Sequence, residues 1–96
     1  MDKINIDYPK LMERTTSVLG SYGALLVAND ASGRPNVMTI GWATFGIVWS
    51  RPMMCVLVRP SRYTYRFMEQ SDSFTVCLPP PELADAAMFC GTHSGR

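Results

Sequence analysis

Residues 22–42 read YGALLVANDASGRPNVMTIGW, and this stretch decides the fold. It begins with a continuous apolar run, YGALLVAN, whose length suits a strand buried on both faces. The polar stretch DASGRP at 30–35 is dense in turn residues. Residues 36–42 then alternate, with Met38, Ile40 and Trp42 on one face of a second strand. Two strands around such a short polar loop predict an antiparallel hairpin.

The remaining segments predict more strands and several helices. Residues 43–49 either prolong the second strand of the hairpin or form a strand of their own. A turn is expected at 50–52, where the sequence is SRP. Further strands are expected at 53–59 and 73–78, and helices at 9–20, at 61–70 and from Pro81 to Gly91. The predicted fold class is therefore mainly β, an antiparallel sheet with flanking helices.

Composition limits the chain to one small domain over residues 1–96. With 47% hydrophobic and 18% charged residues, the chain is not expected to be disordered. A net charge of +1 gives no broad basic face for nucleic acid, and no apolar run is long enough for a membrane span. A chain this short buries only roughly 60–65% of its unfolded surface. Because this leaves apolar surface that one chain does not cover, we expect a homodimer. Three cysteines without a secretory signal predict a cytoplasmic location.

The segment RPSRYT at 59–64 is the first candidate site. A strand is expected to end at Arg59, and Ser61 is expected to cap the helix that follows. The side chains of Arg59, Ser61, Arg62 and Thr64 would then surround the exposed N–H groups of the helix start, an arrangement that suits one phosphate monoester. The alternative is an ordinary capped helix with solvated arginines.

The strand at 36–44 and the tail at 91–96 are the second and third candidates. Gly41 has no side chain, so a planar ligand could approach the strand there, with Trp42 as a flat face and Thr39 and Thr44 as donors. The alternative is an ordinary core strand. The tail could form a phosphate-facing loop with Arg96 as a counter-charge, or it could be a frayed terminus.

Several other kinds of site are not expected. Cys90 and His93 have metal-like spacing, but no second pair of ligands accompanies them, so no metal is predicted. The Rossmann and P-loop glycine motifs are missing, and no nucleophile with a histidine partner is visible, so no catalytic acid, base or nucleophile is assigned. Cys55 and Cys77 lie on predicted strands, where buried core thiols are the ordinary expectation.

Taken in order, these segments resemble the flavin-reductase-like family, which has the FMN-binding split-barrel fold. The resemblance runs from about Leu19 to the last residue. The matching stretches are residues 33–42, 51–52, 59–64, 73–79 and 91–96. The resemblance implies an antiparallel split β-barrel, flavin mononucleotide (FMN) as cofactor, and hydride transfer from NAD(P)H to the flavin. Family members usually continue well beyond the loop at 94–96, so the barrel is expected to be incomplete in this chain.

The resemblance also assigns roles to individual residues. In this family, the strand that matches Met38, Thr39, Ile40, Gly41, Trp42 and Thr44 lines the isoalloxazine ring. The segment that matches Arg59, Ser61, Arg62, Tyr63 and Thr64 binds the ribityl phosphate. The loop that matches residues 93–96, with Ser94 and Arg96, helps to close the flavin site. Two alternatives stay open: a flavin-binding electron carrier without nicotinamide turnover, and a truncated dimerising module that binds nothing.

Overall fold

Five strands and three helices make up the fold of residues 7–94, the residues that the computed structural model describes. A single 3-10 turn precedes the last helix. In chain order the elements are α1 (Tyr8–Leu19), β1 (Ala24–Asn29), β2 (Pro35–Ile40), β3 (Ala43–Val48), β4 (Arg51–Val56), α2 (Tyr63–Met68), β5 (Thr75–Cys77), the 3-10 turn (Pro81–Leu83) and α3 (Ala84–Thr92). The predicted class, mainly antiparallel β with flanking helices, is confirmed.

The strands form two sheets, and every pairing is antiparallel. One sheet has the order β2-β1-β5, with Leu26 opposite Met38 on one side and Val76 on the other. The second sheet is the β3–β4 hairpin. A bond from the Leu57 N–H to the Trp42 carbonyl, at 3.1 Å, extends the hairpin at its open end. Within residues 7–94 the two sheets do not close into a barrel, so the fold is an incomplete split barrel.

The β1–β2 turn is built by the side chain of Asp30. Its carboxylate accepts from the Ser32 hydroxyl at 2.7 Å and from the backbone N–H groups of Ser32 and Arg34, each at 2.9 Å. Gly33 takes a positive φ of 87°, which the turn requires. The Ser32 hydroxyl, and after it the Arg34 N–H, hold the pKa of Asp30 below its usual range. These bonds explain why DASGRP predicts the hairpin correctly.

The core lies between the three-stranded sheet and two helices. Alternate residues of β1 are buried, with Leu26 fully enclosed, and they meet Met38 and Ile40 of β2. Val18 from α1 and Phe67 from α2 cover this face. The other face of β1 is only half-buried, so this strand is less enclosed than its continuous apolar run predicts.

Element boundaries differ from the sequence prediction in several places. The second strand ends at Ile40 instead of residue 42, and residues 43–48 form a separate strand. The next turn lies at Trp49 and Ser50, with φ values of 56° and 59°, so Pro52 belongs to β4 instead of the turn. A two-residue left-handed turn matches the twist of a hairpin, but glycine or asparagine normally marks it. The strand predicted at 53–59 ends at Val56, and α3 passes Gly91 and ends at Thr92.

The cysteines also differ from expectation. Cys55 and Cys77 are exposed in the chain. Side chains alternate along a strand, and it is Met54 and Val56 on β4, and Val76 on β5, that pack against the core. The cysteines between them therefore point away from it.

One further finding concerns membranes. No helix in the described part of the chain is both long and apolar enough to cross a bilayer.

Gly23 holds the junction between α1 and β1, and Gly23→Ala is expected to destabilise the fold. Its φ is +89°, and an added Cβ would lie 2.7 Å from Thr39 Cγ2 and 3.0 Å from the Ile40 carbonyl oxygen. We expect a loss of about 1–3 kcal/mol in the free energy of unfolding, measured in urea. Gly46→Ala is the control, because nothing lies within 4 Å of its added Cβ. Equal unfolding midpoints for the two variants would contradict this assignment.

Candidate functional site

Two cavities lie side by side on the same edge of the molecule. The helix-side cavity, of about 260 Å³, lies between β2, the start of α2 and the end of α3. The strand-side cavity, of about 100 Å³, follows the chain from the end of β2 into the β3 hairpin. Met38 and Arg62 line both. The two cavities are therefore neighbours, with Arg62 lining both, and together they are called the groove below.

Most of the residues predicted to form the site lie in this groove. The helix-side cavity is lined by Met38, Ser61, Arg62, Tyr63, Thr64 and Ser94. The strand-side cavity is lined by Met38, Thr39, Ile40, Gly41, Trp42, Arg59 and Arg62. The candidate segments, far apart in sequence, thus meet in space. Thr44 lies on β3 opposite Cys55 and lines neither cavity. Arg96 lies outside the described residues.

The helix-side cavity has the chemistry of an anion site. No Asp or Glu is among its described lining residues, and Arg62 supplies a permanent positive charge. Thr64 is buried, and its Oγ1 accepts a hydrogen bond from Asn36 Nδ2 at 2.7 Å. A hydroxyl that accepts from Asn36 still has its own proton to donate. The cavity therefore combines a cation and hydroxyl donors around a space of small-group size.

The start of α2 differs from the predicted cap. The N-cap residue is Arg62, no side chain caps the helix, and Ser61 precedes it. The Arg62 N–H bonds to the Arg59 carbonyl at 3.0 Å, so residues 59–62 form a turn before the helix begins. The prediction that Ser61 caps the helix is therefore wrong. Its exposed side chain remains at the cavity wall, where it is not used as a cap.

The strand-side cavity is half-open, and bare backbone forms part of its wall. An added Cβ at Gly41 would meet nothing within 4 Å, so the backbone is bare there. Trp42 is 62% exposed, and the guanidinium carbon of Arg59 lies 5.6 Å from the centre of its ring, a cation–π contact. Small-molecule pockets usually measure about 300–1,000 Å³, so this cavity is too small to enclose a ligand of that size by itself.

Three residues of β2 face the groove mainly through their backbone. The side chains of Met38 and Ile40 belong to the core, with 5% and 2% of their surface exposed. The Thr39 hydroxyl donates to the Ala87 carbonyl of α3, and Gly91 packs against the same threonine. Thr39 therefore fastens α3 to the sheet, and its hydroxyl is already engaged.

Six lining residues were not among the individually predicted site residues: Asn36, Val37, Leu57, Gly91, Thr92 and His93. Asn36 is a polar residue on the same face of β2 as the apolar Met38 and Ile40. A polar side chain on an otherwise apolar face could have indicated that Asn36 belongs to the site. Leu57 lines the strand-side cavity with 63% of its surface exposed. Nothing in the sequence distinguishes this leucine, just after a strand, from an ordinary core residue.

Comparison with known proteins identifies relatives of this chain. Residues 19–96 match a protein family described as Flavin reductase like domain. Flavoredoxin of Desulfovibrio vulgaris (Miyazaki F) has a similar structure, with a TM-score of 0.68 and 30% sequence identity. The match covers 76% of this chain and 39% of flavoredoxin, so the chain spans about two-fifths of that relative's length. A comparison with curated proteins finds no significant match.

Proposed function

Because the chain belongs to the flavin reductase like family, we propose that it binds FMN and transfers hydride from NAD(P)H to the flavin. The observation that carries the proposal is that the two cavities of the groove are adjacent and share Arg62. A cationic, hydroxyl-lined cavity thus lies beside a bare stretch of backbone with an exposed tryptophan. FMN has the same order of parts, with a phosphate at one end and a flat ring system at the other.

The helix-side cavity fits the phosphate end of FMN. Arg62 would pair with the phosphate, because a guanidinium makes charge-assisted and bidentate contacts with phosphate oxygens. The hydroxyls of Ser61 and Thr64 would donate to the remaining oxygens, with Thr64 oriented by Asn36. Among the described lining residues no acidic side chain is present that would repel a dianion.

The strand-side cavity fits the ring end of FMN. At Gly41 the ring could approach the main chain directly, since no side chain intervenes. Trp42, held beside Arg59, offers a flat apolar surface next to that backbone. Because β2 is an edge strand of its sheet, those of its peptide groups that face away from β1 would hydrogen-bond the polar edge of the ring and orient it.

The chemistry of the reaction would come from the cofactor. A bound flavin supplies the hydride acceptor, and the protein contributes binding, orientation and exclusion of water. The charged side chains that line the strand-side cavity are Arg59 and Arg62. Neither can act as a general acid or base near neutral pH, because a guanidinium keeps its proton. Positioning by the groove is therefore the part that these residues would play.

A homodimer is part of the proposal. The strand-side cavity is too small to enclose a ligand by itself, and a cluster of large apolar side chains on and beside the β3–β4 hairpin is exposed. The cluster comprises Trp42, Ile47, Val48, Trp49, Met53 and Leu57. A second copy of the chain could bury such a surface, as homodimer interfaces are apolar.

A cytoplasmic location is also proposed, since all three cysteines are free thiols, as is usual in a reducing compartment.

The proposal is tested by loading the purified chain with FMN, removing excess by gel filtration and recording the visible spectrum. We expect flavin bands that co-elute with protein at the volume of a dimer. Anaerobic addition of NADH or NADPH should then bleach the flavin absorbance. Bleaching only with a partner reductase would indicate an electron carrier instead. A colourless protein at micromolar concentrations of chain and FMN would contradict flavin binding by this chain.

A further inference from the structure

His93 lies at the edge of the helix-side cavity, directly after α3. It is the C-cap residue of that helix and the only histidine of the 96-residue chain. Its ring stacks on the Phe89 ring, with 4.0 Å between centroids and 14° between planes. The side chain is thus held in one orientation at the wall that Arg62 and Ser61 also line.

Hydrogen bonds at the end of α3 determine which ring nitrogen is protonated. Nδ1 of His93 lies 3.0 Å from the Phe89 carbonyl oxygen and 2.9 Å from Thr92 Oγ1. The carbonyl can only accept, and the Thr92 hydroxyl has its own acceptors in the Met88 and Phe89 carbonyls, at 3.1 and 3.2 Å. All of these groups are satisfied when Nδ1 carries the proton. In the neutral ring Nε2 is then an acceptor.

An acceptor nitrogen cannot bond to a phosphate dianion, which has no proton to donate. Only the imidazolium presents an N–H at Nε2, together with a positive charge. We infer that His93 is a proton-dependent ligand of the flavin phosphate, which it binds as the imidazolium and does not bind when neutral. The inference rests on the proposed function, since it names a ligand of that same phosphate.

The neighbouring charges support a coupling between proton and phosphate. Among the described residues, the other titratable or charged side chains that line the cavity are Arg62 and Tyr63, and β2 contributes uncharged residues only. A phosphate in the cavity would be attracted by both Arg62 and the His93 imidazolium. Proton uptake and phosphate binding therefore strengthen each other.

The expected pH dependence has a definite sign. The contribution of His93 requires the imidazolium, so it is present at the acid end and lost as the pH rises. The phosphate monoester gains a proton below roughly pH 6, which weakens its attraction to Arg62 and works in the opposite direction. The role of His93 is thus measured as the difference between the wild type and His93→Phe at each pH.

Dissociation constants for FMN and riboflavin, measured by quenching of flavin fluorescence, test the inference. At about pH 5.5, His93→Phe, which keeps a ring to stack on Phe89 but has no N–H donor, should bind FMN roughly tenfold more weakly than the wild type, and at about pH 8 the two should bind equally. Riboflavin has no phosphate, so the variant should bind it like the wild type at both pH values. An equal loss of FMN affinity at both pH values would overturn the inference, because it would indicate a structural role only.

A measurement on the wild-type chain avoids dependence on the variant. As His93 is the only histidine, its imidazole signals can be followed by NMR without ambiguity. Saturating FMN should raise the midpoint of that titration by about one pH unit, the counterpart of a tenfold difference in affinity, and riboflavin should not. FMN binding with an unmoved midpoint would overturn this inference and leave the proposed function standing. Failure to bind either flavin at any pH would overturn both.

Discussion

Gly41→Val is expected to lower the affinity for both FMN and riboflavin by roughly 100-fold, about 2.7 kcal/mol. The branched side chain would project from the bare backbone of the strand-side cavity into the space proposed for the flavin ring. The effect would be on the ligand and not on the fold, because a Cβ at Gly41 meets nothing within 4 Å and the residue does not take a positive φ. The measurement is a titration of flavin fluorescence with each variant.

Gly46→Val is the matched control for this substitution. An added Cβ at Gly46 also meets nothing within 4 Å, and its backbone conformation is equally ordinary, but Gly46 lies on β3 away from both cavities. This variant should bind both flavins like the wild type. If Gly41→Val also kept wild-type affinity, the strand-side cavity would not be the ring site.

Arg62→Ala should weaken FMN by about tenfold or more while leaving riboflavin almost unchanged. The loss corresponds to one charge-assisted hydrogen bond of about 1.5–3 kcal/mol. Riboflavin provides the internal comparison, since it shares the ring and ribityl chain but has no phosphate. Binding of both ligands by each variant can be followed by fluorescence quenching at constant salt, because surface electrostatics depend on ionic strength.

Arg66→Ala is the control for the loss of positive charge. Arg66 is on the same helix, is exposed, and lines neither cavity. It should leave FMN binding within about twofold of the wild type, because exposed charges beyond contact distance are screened. An equal loss of FMN and riboflavin in Arg62→Ala would place Arg62 at the ring instead of the phosphate.

Local sequence patterns predict the fold where a side chain builds the local structure. The β1–β2 hairpin follows from DASGRP because Asp30 forms its own turn. The turn at Trp49 and Ser50 could not be predicted, because neither residue is typical of a left-handed conformation. Pro52, which suggested the turn, is tolerated in β4 because either strand of a two-stranded sheet is an edge strand.

The sequence predicted which segments form the candidate site, but not which side-chain groups in those segments are available to a ligand. The order of the segments indicated which residues meet, and the groove brings most of them together. The sequence could not show that the Thr39 hydroxyl is engaged by Ala87, since that bond joins residues 48 positions apart. Nor could it show that Ser61 precedes the helix cap instead of forming it.

The β3–β4 hairpin has a consequence for how the molecule opens. Its two strands pair only with each other, its tip carries Trp49 with 92% of its surface exposed, and both tip residues hold left-handed backbone angles. Met54 and Val56 pack one face of the hairpin on the core, but within residues 7–94 no third strand supports it, so we expect it to be a cooperative unit weaker than the β2-β1-β5 sheet. Its amide protons would exchange with solvent through local opening, well before the global unfolding that releases those of β1.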